Sequence, residues 1–316
     1  MKSPENKKKF KLLKQREFIA FAALVIIFVF FSLGSKNFFT LFNIMNIFRQ
    51  ASINAIIAVG MTFVIISGGI DLSVGATVSL SGVIAAIAMG NWGMNSIVGI
   101  ICGLAVGVAI GFVNGFVITK GGVPPIISTV ATMTIASGLA LVLTGGRSVT
   151  NLPDNFSIIG RGNIGILPIP VFIIIITYIL GHILLTKTRF GATVFGIGGN
   201  EEAARLAGIS VEWVKIRVYM FCGAMSAVSG LIMASRLNSG QPLAGDGLDL
   251  NAIAAVVIGG ASVNGGVGGV VGSLIGALLM SVLTNGFDLI GMGRYYQMIF
   301  TGIVLILAVT LQKKTR

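Results

Sequence analysis

The sequence predicts an all-α integral membrane protein, and three observations carry that prediction. Charged residues make up 10% of the 316-residue chain and hydrophobic residues 55%, whereas soluble globular chains are about a quarter charged. The mean hydropathy is +0.97. The apolar residues also gather into successive runs, most of them near the ~20 residues that a helix needs to cross a bilayer, with the charges falling between runs. The net charge of +12 resides at the two ends and in one internal region, without interleaved aromatics. It therefore reads as a topology signal, and no nucleic-acid partner is expected. Cys102 and Cys222 lie within apolar runs, as small buried hydrophobes would, and not as a disulfide framework.

The chain opens with a basic arm, residues 1–17, carrying Lys2, Lys7, Lys8, Lys9, Lys11, Lys14 and Arg16. The apolar run 18–33 that follows is longer than the core of a signal peptide and lacks a small-x-small cleavage site before Gly34. It is an uncleaved first span with the N-terminus inside. A second run, 51–67, meets the break GGIDLSVG at 68–75, and a third continues over 74–89. Asp71 within that break has two readings: a cap for a helix starting near Leu72 at a membrane surface, which the residues favour, or a functional intramembrane acid. Residues 96–119 carry Gly99, Gly103, Gly107, Gly111 and Gly115 at every fourth position, a side-chain-free face for close helix packing. The run 126–143 leads to a polar outer loop, 145–167, and 168–186 returns the chain to the inside. Next come the run 213–235, an outer loop 236–249, and a short run 250–258 that cannot span alone and must borrow flanking residues or be re-entrant. The break 259–269 precedes a run opened by Gly268, Gly272 and Gly276 and reaching about 287, and the run 298–311 ends at the basic tail 313–316. The expectation is about ten transmembrane helices in a membrane domain over 18–312, with both termini cytoplasmic; eight is the alternative.

One stretch, GIGGNEEAARLAGI at 196–209, stands apart because it is polar. Asn200 is a good N-cap, Glu201 and Glu202 follow where the helix dipole favours negative charge, and Gly208 suits a left-handed closure. Ala203, Leu206 and Ala207 form a small apolar face on a helix of about two turns, too short to persist unsupported. Lys187, Arg189, Arg205, Lys215 and Arg217 surround it, so the positive-inside rule places the segment 187–212 in the cytoplasm. Glu201, Glu202, Arg205 and Leu206 are the side chains expected to meet a partner.

Catalytic chemistry is not expected. There is no G-x-x-x-x-G-K-[ST] phosphate loop, His182 is the single histidine, and no metal-ligand spacing occurs. NAIIAV at 54–59 and NAIAAV at 251–256 each precede a glycine-containing break, the pattern of paired broken helices along a transporter's substrate route.

Four blocks then carry a resemblance: GGIDLSVG at 68, VPPIISTVATM at 123, TRFGATVFGIGGNEEAARLAGI at 188 and LNAIAAVVIGGASVNGGVGGVVGS at 250. In this order they resemble the permease subunit of ribose-type sugar importers of the ABC superfamily, over roughly residues 53–310. The resemblance implies a second permease subunit, identical or closely related, two cytoplasmic ATPase subunits and an extracytoplasmic solute-binding protein, in a bacterial inner membrane. It also implies that Asn200, Glu201, Glu202, Ala203, Ala204, Arg205, Leu206, Gly208 and Ile209 form the coupling helix that docks into an ATPase cleft. The alternative class is a secondary transporter or channel, disfavoured because Asp71 is the one plausible membrane-interior acid. Candidates for the substrate path are Asn54, Ser67, Asp71, Ser73, Asn251, Ser262 and Asn264. Neutral polar groups in the interrupted segments, Asn54, Thr62, Ser67, Ser73, Thr77, Asn251, Ser262 and Asn264, together with exposed backbone at the breaks suit hydroxyls, so the expected solute is a neutral monosaccharide such as ribose, with nucleosides next and zwitterionic amino acids third.

Overall fold

The computed structural model describes residues 4–314. Among them, eight helices are long and apolar enough to cross a membrane. They are α1 (Pro4–Gly34, its apolar part from Glu17), α2 (Leu41–Ile66), α3 (Val74–Ala86, prolonged by a π turn over Ile87–Asn91), α4 (Ser96–Lys120) and α5 (Pro125–Thr144). α7 (Ile169–Lys187), α10 (Val211–Leu237) and α12 (Val270–Leu289) complete the set. Shorter elements are α6 (Asp154–Arg161), a hairpin of β1 (Asn163–Ile164) and β2 (Leu167–Pro168), α8 (Arg189–Gly199), α9 (Glu201–Leu206) and α11 (Leu248–Ile258). α13 (Arg294–Lys314) closes the described chain. Helix α1 runs on through the basic stretch from Pro4, while Lys2 and Arg316 lie outside the described residues.

Helix α2 is the axle. Every residue from Ala51 to Ser67 is buried, enclosed by α10, α12, α7 and α11. Its hydroxyls bond back to the helix's own backbone, Thr62 Oγ1 to the Ala58 carbonyl at 2.6 Å and Ser52 Oγ to the Arg49 carbonyl at 2.7 Å, which removes their desolvation cost. The outer helices turn apolar side chains outward, as a lipid solvent requires: Ile26, Phe30 and Leu33 on α1, and Ile126, Ile135 and Val142 on α5.

The regular glycines of α4 do what their spacing predicts, within this one chain. Gly107 lies on the Gly223 carbonyl of α10, Gly111 on the Tyr219 carbonyl, and a Cβ at Gly115 would come within 2.6 Å of the Ile216 Cα. Nearer the other end, a Cβ at Gly103 would meet the Ser81 carbonyl of α3 at 3.0 Å. One stripe thus joins α4 to two helices in succession. Gly272 and Gly276 of α12 likewise sit on the Gly259 and Ala255 carbonyls, the second on α11 and the first just beyond its end. Lipid supplies no hydrophobic drive for these pairings, so dispersion at backbone contact distance supplies it.

Three expectations need correction. Helix α2 begins at Leu41, ten residues before the predicted run, because Thr40 caps it and the polar Asn43 is satisfied inside the protein by reciprocal bonds with Asn285 of 2.9 and 3.0 Å. The loop 145–167 holds α6 and the hairpin, fastened to α10 by Ser235 Oγ donating to the Phe156 carbonyl (2.6 Å) and by Arg161 Nε donating to the Arg236 carbonyl (2.8 Å). The stretch 238–247 is not a loop lying over the end of the bundle. It bridges Val149 through Gly240, then descends along α3, from Gly240 beside Val83 to Gly245, whose N–H donates to Ser79 Oγ at 2.9 Å and which packs on the Gly75 carbonyl. That descent covers about 12 Å of helix rise. Helix α11, 11 residues long, follows this descending stretch and contains the short apolar run 250–258.

Candidate functional site

Helix α9 forms as its residues dictate. The Asn200 side chain accepts the Ala203 N–H at 2.9 Å, Glu201 and Glu202 occupy the first turn, and Gly208 closes the segment at φ 81°, a left-handed conformation that costs glycine nothing. What holds so short a helix is ionic. Glu201 accepts from Lys215 Nζ at 2.6 Å, and Arg205 reaches Glu212 at 2.8 Å, so both ends of α9 are tied to the first turns of α10. Lys215 and Glu212 were missing from the sequence-derived site, although their opposite charges at that spacing were the available signal. Ala204 turns into the protein and Ile209 is half-buried, whereas Ala203 and Glu202 are exposed. Leu206 is 84% exposed, an apolar side chain held out from a braced polar helix.

The two breaks meet directly behind α9. The Gly266 N–H donates to the Ile66 carbonyl at 2.9 Å, which joins the segment after α11 to the C-terminus of α2. Gly198, at the end of α8, lies on that same Ile66 carbonyl and would place a Cβ 2.6 Å from the Gly266 nitrogen. A Cβ on Gly265 would lie 2.7 Å from the Gly198 carbonyl oxygen and 3.1 Å from the Gly68 Cα. The segments carrying the NAIIAV and NAIAAV repeats therefore end at one backbone junction.

Asp71 caps the turn before α3, as its favoured reading has it, but it does so from inside the protein. It is 1% exposed, in a largely buried polar network. Its carboxylate accepts the Ser73 N–H at 2.9 Å, the Ser73 hydroxyl at 2.6 Å and the Cys222 thiol. Asn114 Nδ2 donates to Ser73 Oγ at 2.8 Å, and Thr132 Oγ1 donates to Asn114 Oδ1 at 2.6 Å. Asn114 stands six residues before the end of α4 at Lys120, about 9 Å from that end. The acid thus caps the turn that opens α3, but inside the protein, where it pins the break to α4, α5 and α10. Asp71→Ala would strand the Ser73 donors and the thiol, at about 1–3 kcal/mol for each unsatisfied buried group. The expected outcome is a loss of folded protein in detergent extracts, with Asp71→Asn retaining more of it than Asp71→Ala.

The remaining path candidates occupy different settings. Ser67 bonds the Val64 carbonyl at 2.8 Å, and Asn54 is buried in α2 with its Oδ1 lacking a hydrogen-bond partner among the described residues. Ser262 is buried in the 259–269 break, Asn264 in the same break is exposed, and Asn251 is half-buried in α11. Polar side chains on 238–249 were not among the candidates, because the charges of that stretch read as an outer loop. Asp246 is exposed and Gln241 and Asp249 are half-buried at the depth of α3.

Comparison with known proteins shows the family. A family model described as branched-chain amino acid transport system / permease component matches residues 43–309. The chain is 45% identical to the ribose import permease protein RbsC of Bacillus subtilis over 93% of its own length and 92% of that protein's. It is 44% identical to RbsC of Escherichia coli K12 over 96% and 94% of the two chains, and 36% identical to the L-arabinose transport system permease protein AraH of E. coli K12 over 90% and 86%. No solved structure matches. With a family model matching most of its length and relatives aligned almost end to end, the chain belongs to the family of permease components of binding-protein-dependent transport systems, as a multi-pass membrane subunit and not an enzyme.

Proposed function

We propose that the chain forms the translocation path of an ATP-driven importer for a monosaccharide, ribose or a near relative, delivered by an extracytoplasmic binding protein. The observation that carries this reading is the 45% and 44% identity, over nearly full length, to two permeases that import ribose. Lys187, Arg189, Arg205, Lys215 and Arg217 lie in and around the α8–α9 segment, and the positive-inside rule supports a cytoplasmic location for that end. The eight long helices, the 238–258 passage and α13 then make ten crossings with both termini cytoplasmic. Helix α9 is the coupling helix. Its side chains Glu202, Ala203 and Leu206 meet the ATPase, while Glu201 and Arg205 fix its attitude through their ion pairs to α10.

A second permease subunit, most simply an identical one, completes the route. Asp246 and Gly247 are exposed although they sit beside the first turn of α3, well below the end where Gly90 approaches the Thr150 carbonyl. Irregular backbone and a carboxylate at such depth face water or protein and not lipid. The passage 238–251, with Gln241, Asp246, Asp249 and Asn251, therefore lines the path between the two subunits. Such scattered hydrogen-bonding groups hold a sugar loosely, which leaves discrimination to the binding protein. Exchanging that protein for a relative of different sugar preference is expected to move the uptake selectivity of proteoliposomes with it; selectivity that stayed with the permease would contradict the reading.

A further inference from the structure

The C-terminal end of α8, just before the cap of α9, meets both breaks at close backbone contacts. Gly198 is two residues before the cap Asn200 and lies on the Ile66 carbonyl, which at the same time accepts the Gly266 N–H. No side chain stands between the three strands of backbone to absorb a displacement by changing rotamer. On one side the junction continues into 67–73, the turn pinned by Asp71, Ser73 and Asn114. On the other it continues into 259–269, whose internal bonds from Ser262 N–H to the Val267 carbonyl (2.8 Å) and from Gly265 N–H to the Ser262 carbonyl (2.9 Å) tie it into a compact turn between α11 and α12. On the α9 side, the ion pairs Arg205–Glu212 and Lys215–Glu201 make α9 and the start of α10 one body. Close-packed contacts of this kind transmit displacement because they cannot be compressed.

We propose that Gly198 is the positioning residue that passes movement of the coupling helix to both broken helices at once, by bearing on the Ile66 carbonyl at its bond with Gly266. The proposal rests on the reading of α9 as the helix that docks on the ATPase. Neighbouring glycines provide the control. A Cβ on Gly198 falls on the Ile66 carbonyl, whereas one on Gly199 meets nothing within 4 Å. A methyl group at 198 forces the Ile66 carbonyl away from Gly266 and opens the junction, and the same group at 199 leaves it closed.

The test uses the complete transporter in proteoliposomes, with ATPase subunits and ribose-loaded binding protein. Where it assembles, Gly198→Ala is expected to hydrolyse ATP at a basal rate within about twofold of the parent. Its stimulation by loaded binding protein should be lost, with ribose uptake falling at least ~10-fold, a factor that corresponds to 1.4 kcal/mol of coupling. Gly199→Ala should retain stimulation and uptake. Equal impairment of the two variants, or uptake by Gly198→Ala above half that of the parent, overturns the proposal. Hydrogen exchange on the parent transporter decides the matter should Gly198→Ala fail to assemble. Trapping with ATP and vanadate should then change exchange in 66–73 and 259–269 together with 196–209, and a change confined to 196–209 overturns it. Failure of the docking reading gives a different signature: no protection of 200–209 when the ATPase subunits bind.

Discussion

Replacing Gly107 with leucine is expected to remove most of the assembled protein from the membrane. Gly107 and Gly223 lie on each other's carbonyl groups where α4 and α10 cross, and the Ala227 Cβ would be 2.6 Å from a Cβ at 107. The neighbours are main chain, so no rotamer change makes room, and the two helices share one of the most extensive contacts in the fold. An over-packed site in a filled core costs about 1–3 kcal/mol even where side chains can shift. Here the whole helix pair must separate, which also draws Asn114 away from Ser73 and loosens the Asp71 network. A fall of at least ~10-fold in monodisperse protein after detergent extraction is the expected measurement, larger than for Gly138→Leu, whose Cβ would meet nothing within 4 Å. Normal yield with altered sugar selectivity would show instead that this glycine face borders the path.

Leu206→Asp should have the opposite profile, with normal assembly of the membrane subunit and loss of transport. The side chain is 84% exposed and contributes little to the chain's own packing. Asn200 still caps α9 and the two ion pairs to α10 remain, so the fold has no reason to respond. An apolar side chain held out on a braced helix loses its water when a partner docks, and a carboxylate in its place would carry a desolvation penalty of roughly several kcal/mol into the contact. Uptake in proteoliposomes and stimulated ATP hydrolysis are expected to fall at least ~10-fold. Full uptake by Leu206→Asp would remove α9 from the interface with the ATPase.

The short polar helix α9 was legible because its determinants are local. The cap, the acids of the first turn and the left-handed closure at Gly208 all lie within nine residues, and each acts on the backbone next to it. The glycine stripe of α4 was legible as a packing face for a similar reason, since a four-residue repeat stays on one side of any helix. Its partner was not, because nothing in 96–120 states which helix arrives.

Composition and the order of apolar runs by themselves determined an all-helical membrane protein and the place of its breaks, because apolar length and local capping are properties of contiguous residues. Tertiary structure alone decided that Asp71 is enclosed, that 238–247 descends into the bundle, and that Ile66, Gly198 and Gly266 share one junction. Each of these depends on groups 41 to 200 residues apart coming within hydrogen-bonding or van der Waals distance. A buried carboxylate or an irregular strand at membrane depth is stable only where such distant partners supply the hydrogen bonds that lipid cannot.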